Sequence, residues 1–400
     1  MKRLKYLVQR RTNRASDASP YIGLENIESG TGKHIETEST SDGEKLAFHP
    51  GDVLFGKLRP YLAKVFLPDF SGACTTEFLV LRPSFEVSAR FLFYHLLSPK
   101  FIDLVTSFSS GAKMPRAEWD VIGNLEFDAP KISQQRAIAD FLDRETAKID
   151  DLIAKNQSIL NLLGQARCLA MERAVLSGLR PAEAQRPTPV PSLPAVPCRW
   201  SLTRVAYLFH ERDERGKPDL PLLNVSLNTG VTVRSFSDEK IERVAEDFGT
   251  YKVARNGDMA FNKMRMWQGA VGVAPTDGLV SPDYTVAKPN TGVSAHYYAM
   301  VFRTSAYKCE VNRYSHGIAP DRNRIYWDDF KQIVCPHPPY EEQLAIVHSV
   351  ELEYRHIDSN VSLVTSAIAL LREYRSALIS TAVTGQLDLR QHEAQLEAIA

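Results

Sequence analysis

Residues 133–178 hold no proline and, before the terminal Gly178, a single glycine, Gly164. Pro130 stands just ahead of them, and Ser133 is placed to cap a helix N-terminus, so the stretch reads as one long helix. Forty-six residues at ~1.5 Å each would span ~69 Å, longer than a typical domain is wide. The same helix is written twice. Gln135 falls on Gln343, Ala137 on Ala345, Ile138 on Ile346, and Ile149-Asp150 on Ile357-Asp358, all at an offset of 208.

The apolar pattern says what these helices pack against. In the second copy Val350, Tyr354, Ile357, Val361, Val364, Ile368, Leu371, Arg375, Leu378 and Ala382 alternate at spacings of four and three. That is a heptad seam, which marks a coiled coil rather than a helix lying on one globular surface. The matching positions in the first copy run from Leu142 and Thr146 to Arg167, Ala170 and Ala174, and arginine interrupts both seams at the same place. The expectation is that the two helices pair with each other, antiparallel, as similar units related by a pseudo-twofold axis would. Asn156, opposite Val364 in the repeat, is either a register-setting polar residue or a solvent-facing one.

The segments ahead of the helices repeat too. Gly51-Asp52-Val53-Leu54-Phe55-Gly56-Lys57-Leu58-Arg59 aligns with Gly257-Asp258-Met259-Ala260-Phe261-Asn262-Lys263-Met264-Arg265 at an offset of 206. That offset carries Phe91 onto Tyr297, Phe101 onto Tyr307 and Gly111 onto Gly317. A repeat of this length is not a solenoid unit but a duplicated globular domain. In the first copy, 52–55, 61–66, 77–82 and 121–127 read as strands, and 89–97 and 99–108 as helices. The fold class is therefore α+β. The expected order is a first domain at 1–130, a long helix at 131–179, a proline-rich extended linker at 180–197, a second domain at 198–337, a second long helix at 338–386 and a tail at 387–400.

Composition excludes little. Lys plus Arg and Asp plus Glu are 48 each, so a nucleic-acid partner would need locally clustered cations. Five scattered cysteines without a CxxC spacing give no zinc site and suit a reducing compartment. No apolar run approaches the ~20 residues of a membrane span. A cytoplasmic protein is expected.

Together the GDVLFGKLRPY segment, the ACTTEFLVLRP segment, the two helix starts (PKISQQRAIADFLDRETAKID and PPYEEQLAIVHSVELEYRHID) and the VPCRWSLTRVAYL lead-in resemble the specificity subunit of Type I restriction–modification enzymes. The resemblance covers essentially the whole chain. It departs at one point: the second domain opens on Pro197-x-x-Trp200, and nothing before Leu4 corresponds. Either the natural start lies upstream of Met1 or the first domain does without that lead-in.

The resemblance implies a non-catalytic, sequence-specific DNA-binding subunit. It would carry two target-recognition domains, one per half of a bipartite asymmetric site, and paired helices that dock two adenine-N6 methyltransferase subunits. A motor–nuclease restriction subunit would complete the enzyme. This chain would need no cofactor; S-adenosylmethionine, ATP and magnesium would belong to the partners.

A duplex reader needs cations for phosphates and forked donors for base edges. The paired turns offer Lys57, Arg59 and Tyr61 in one copy, and Lys263, Arg265 and Trp267 in the other. The paired glycine loops offer Lys113 and Arg116, then Arg313, Arg322 and Arg324, with Ser109, Ser110, Tyr314, Ser315 and His316 beside them. The competing reading is ordinary solvated turn cations, and two equivalent basic loops count against it.

Three motifs imitate enzymes. His337-Pro338-Pro339-Tyr340 is similar to an adenine-methyltransferase motif but has the wrong first residue, and its prolines suit a helix start. Pro218-Asp219 with Asp238-Glu239-Lys240 imitates a PD-(D/E)xK nuclease, and carries the alternative of a self-contained restriction endonuclease with a duplicated recognition module. Gly30-Thr31-Gly32-Lys33 lacks the spacing of a phosphate loop and reads as a turn.

Overall fold

The computed structural model describes residues 2–15, 20–37, 43–111, 113–180, 183–234, 248–317 and 323–387. The chain divides into two compact units, Met1–Ser158 with Val364–Ala400, and Ile159–Leu363. Each unit thus holds one globular domain together with about half of each long helix.

In the first unit an antiparallel sheet runs in the order Val8–Arg11, Phe78–Pro83, Val53–Gly56, Val65–Phe66. Its second layer is a three-stranded sheet of Tyr21–Ile22, Gly72–Thr75 and Lys45–Phe48. The second unit repeats the four-stranded sheet as Phe209–Arg212, Tyr284–Pro289, Met259–Asn262 and Val271–Val273. The register repeats with it: Val53 faces Leu81 as Met259 faces Ala287. Alternate residues of the central strands are buried on both faces, which is why 53–56 and 259–261 read as apolar runs. Helices Ala89–Leu97 and Pro99–Ser107 pack on the first sheet, Ala295–Arg303 and Ser305–Arg313 on the second.

The long helices are Ile132–Ser177 and Tyr340–Val383. Every seam position is buried or half-buried in both. Within the first unit Ile138 and Leu142 pack among Ala382 and Val383, while Asp150 meets Arg375. Within the second, Arg167 meets Asp358 and Gly178 lies beside Glu342. In each unit one helix ascends as the other descends, so they form an antiparallel pair. The α+β class and the coiled coil are as the sequence implied.

A buried glutamine fastens each helix start to its own domain. Gln135 Oε1 accepts from Ser88 N–H at 2.8 Å, and its amide donates to Glu86 O and Pro130 O. Gln343 does the same for Ser294 N–H and Pro338 O. Both side chains are fully buried, and pairing buried amides with backbone groups removes the penalty that an unmet polar atom would carry.

Several local expectations need correction. The first helix begins at Ile132, so Ser133 lies inside its first turn, and Gln134 instead accepts from Lys131 N–H. Residues 61–66 are not one strand: a 3-10 turn, Pro60–Leu62, precedes the short strand Val65–Phe66. Likewise 121–127 splits into the helical turn Trp119–Ile122 and the strand Glu126–Phe127. The proline-rich stretch is no extended spacer. Its strands Gln185–Pro187 and Ala195–Pro197 pair as a hairpin, and Val190, Leu193 and Val196 enter the core of the second domain. Asn156 donates to Leu152 O of its own helix, not across the seam.

Candidate nucleic-acid interface

In both domains the basic turn and the glycine loop, distant in sequence, are stitched together by backbone hydrogen bonds. In the first, Lys57 O accepts from Ala117 N–H (3.0 Å) and Pro115 O from Arg59 N–H (2.7 Å). Ser110 and Arg116 exchange both N–H···O bonds, closing the loop on itself. In the second, Lys263 O accepts from Ile325 N–H (3.1 Å), and His316 and Arg324 exchange the closing pair. The two scaffolds are the same although their side chains differ.

Backbone conformation sharpens the first turn. Arg59 (φ 51°) and Ala63 (φ 46°) are the two non-glycine residues with left-handed backbone among those described, and they bracket the 3-10 turn Pro60–Leu62. Side chains other than glycine hold that conformation at a cost, and such positions concentrate at functional loops. The second domain meets the same need with Gly269 (φ 94°).

The candidate residues separate by what their side chains already do. Lys57, Arg59, Lys113, Lys263 and Arg265 take part in no ion pair among the described residues. Tyr61 is half exposed. Arg116 is committed: its Nε and Nη2 fork onto both oxygens of Glu77 at 3.1 and 3.0 Å, and this bond raises its pKa further. Arg313 ends a helix rather than joining the loop, and pairs with the buried Glu310 at 3.4 Å. Trp267 donates its indole N–H to Met264 O and packs against the core. Arg324 stays exposed with one guanidinium nitrogen on Met264 Sδ. Arg322 lies outside the described residues.

Sequence reasoning missed the exposed apolar members of this surface. Tyr326 is about half exposed with Lys263 Nζ 6.0 Å from its ring centroid. Phe108 and Met114 stand out beside the first glycine loop, both more than half exposed. An aromatic or methionine flanking a polar glycine loop was the available signal. His316 lies 3.5 Å from Asp329, a local pairing.

The enzyme-like motifs resolve otherwise. His337 ends a strand and its ring meets Tyr298 Oη at 2.7 Å, while Tyr340 begins the second long helix. Asp219 is exposed, and Asp238-Glu239-Lys240 lie outside the described residues. Among the described residues no group of three metal-ligating side chains comes together, and no helix is long and apolar enough to cross a membrane.

The fold has close architectural parallels. The crystal structure of the HsdS subunit from Thermoanaerobacter tengcongensis is similar over 96% of each chain, with TM-score 0.53 and 19% identity. A chain from a structure concerned with complex assembly and conformational transition of the type I R-M system is similar over 96% of this chain and 97% of that one, with TM-score 0.65 and 19% identity. Residues 5–161 match the Type I restriction modification DNA specificity domain. The EcoDI specificity subunit of Escherichia coli is 25% identical over 136 residues, 33% of this chain but only 30% of that protein's length. The EcoKI specificity subunit of Escherichia coli K12 is 21% identical over 77% of this chain and 68% of that protein. A duplicated α+β domain joined to paired long helices is thus a fold this chain shares with those two structures. Residues 5–161 resemble the specificity domain of Type I restriction–modification systems, and the chain as a whole is similar to their specificity subunits.

Proposed function

We propose that this chain reads a bipartite, asymmetric DNA sequence, one half-site per globular domain, and docks two adenine-N6 methyltransferase subunits on its paired helices. A motor–nuclease subunit joins them for restriction, and S-adenosylmethionine, ATP and magnesium act on those partners. The observation that carries the reading is the repeated scaffold: the same stitched turn and loop presents unpaired cations in both domains, with different neighbours in each. Lys57 and Lys263 are suited to phosphates, Arg59 and Arg265 to phosphate or guanine.

The helices support the docking role. In heptad terms Leu162, Leu169, Leu363 and Leu370 occupy one outward position, and Leu152, Ile159 and Tyr374 the position beside it. All seven are exposed, at 43–67%. Large apolar side chains gathered at these two positions, beside a seam that is itself buried, suit a protein partner.

The test is a domain exchange. Replacing residues 21–111 with those of a related subunit should change one half of the methylated motif, read by methylome sequencing, and leave the other intact. Changes in both halves refute independent reading. The alternative, a self-contained endonuclease, requires that the purified chain with magnesium cut target-rich DNA; the specificity-subunit reading expects intact DNA.

A further inference from the structure

Cations that stand at the same place in both domains cannot tell two half-sites apart. Lys57 and Arg59 have Lys263 and Arg265 as counterparts, so any difference in reading falls to the residues beside them that differ. The backbone fixes which residues those are. Ser110 and Arg116 close the first glycine loop as His316 and Arg324 close the second. Ala117 N–H then bonds Lys57 O, as Ile325 N–H bonds Lys263 O, and the next residues are Glu118 and Tyr326. Arg116 therefore corresponds to Arg324, and Glu118 to Tyr326.

In the first domain the arginine is taken. Glu77 holds Arg116 Nε and Nη2 at 3.1 and 3.0 Å, which occupies the fork that a base would need. The exposed group left beside it is Glu118, whose side chain has no hydrogen-bond or ion-pair partner among the described residues. In the second domain the repeat puts Asp283 at the place of Glu77, one methylene shorter. It holds no arginine. Arg324 instead sets Nη2 on Met264 Sδ at 3.7 Å, and a thioether is a weak acceptor. Tyr326, about half exposed, replaces the carboxylate, with Lys263 Nζ 6.0 Å from its ring centroid. One loop thus offers a carboxylate beside a neutralised arginine, and the other a free guanidinium beside an aromatic ring.

Resting on the half-site reading above, we propose that the two loops read opposite edges of a G·C pair: Arg324 takes guanine in the second domain's half-site, and Glu118 takes cytosine in the first domain's. A guanidinium donates two parallel bonds to guanine O6 and N7. A carboxylate only accepts, and the major-groove edge of cytosine offers only the N4 amino donor. Adenine also carries an amino donor, but the N7 acceptor beside it finds no donor on a carboxylate. Guanine presents acceptors alone and is rejected by Glu118 outright.

Methylome sequencing of a host carrying the full chain with its methyltransferase subunits reads both half-sites at once. Arg324→Ala should relax one guanine position in one half-site, losing about tenfold to a hundredfold in discrimination there. Glu118→Gln should move one cytosine position to adenine in the other half, the one that exchange of residues 21–111 alters. A carboxamide accepts from N6 and donates to N7, which a purely structural role for residue 118 would not reproduce. In each variant the remaining half-site stays unchanged and reports that the protein folds and assembles. Where a variant abolishes methylation, selection of duplexes from a random-sequence library by the purified chain reads the same position. A bipartite wild-type motif that either substitution leaves unaltered overturns the inference and leaves the half-site reading standing. A wild-type motif without two halves overturns both.

Discussion

In the first unit Arg375 of the second helix reaches Asp150 of the first at 3.0 Å, with side chains 8% and 10% exposed. In the second unit Arg167 reaches Asp358, with side chains 40% and 56% exposed. The repeat relates the two pairs residue for residue, yet their surroundings differ. Around Asp150 the loop at 28–33 closes in: Lys33 Nζ lies 3.1 Å away, and Arg375 Nη1 donates to Gly30 O at 2.9 Å. Gly30 and Gly32 both hold left-handed backbone there, and a Cβ on Gly32 would strike Phe93 and Val65 O at about 2.5–2.6 Å. In the second unit the guanidinium of Arg167 lies over the Tyr354 ring, 4.0 Å from its centroid, and remains in solvent. Duplicated sequence places the same charges on the same seam. A loop that belongs to one domain alone decides whether they are buried.

Breaking the buried pair has the largest expected effect. Arg375→Ala strands Asp150, and losing one partner of a buried pair costs about 3–5 kcal/mol, toward the lower end here because Lys33 remains. Urea unfolding should show that loss in the first unit. A cost as small as that of the equivalent change at Arg167 breaks the comparison.

Acid tests the asymmetry next. His95 is buried against Phe101 and Phe127, its Nδ1 has no hydrogen-bond partner, and burial, with Lys100 nearby, lowers its pKa to about 4. The second domain has Val301 at this position. The unfolded chain takes up this proton near pH ~6.5, the folded one only near 4. The stability His95 contributes is therefore complete above pH ~6.5 and is lost as the pH falls toward 4, by ~3 kcal/mol in all. His95→Val should flatten the first unit's stability between those values. An unchanged acid profile in that variant removes His95 as the cause.

Gln135→Ala and Gln343→Ala sharpen the comparison by their sameness. Each leaves buried backbone groups unmet, at about 1–3 kcal/mol. Chemical denaturation should find the two costs equal within error; a marked inequality means the helix starts are not equivalently anchored. Arg167→Ala should have the smallest effect. An exposed ion pair contributes about 0–1 kcal/mol and an exposed cation–π contact about 0.5–1, so its transition should shift by little more than 1 kcal/mol.

The sequence by itself determined whatever depends on spacing along the chain. Duplication, the heptad seam, the paired arginines and the paired glycine loops are periodic or repeated, and periodicity is a local property that survives without coordinates. Helix Ala89–Leu97 emerged with the bounds its pattern implied. The tertiary structure alone decided which of those residues are occupied. Arg116 looks like any loop cation until the fold brings Glu77, 39 residues away, into its fork. The prolines between 180 and 197 suggested an extended spacer, because proline removes backbone donors. Folding nonetheless buries Val190, Leu193 and Val196 against the second domain and draws the segment into a hairpin. Exposure of Tyr326 beside Lys263, and the half-burial of Trp267 against the core three residues past Met264, follow the same logic. Burial is set by contacts between distant segments, which no residue's own neighbourhood in sequence encodes.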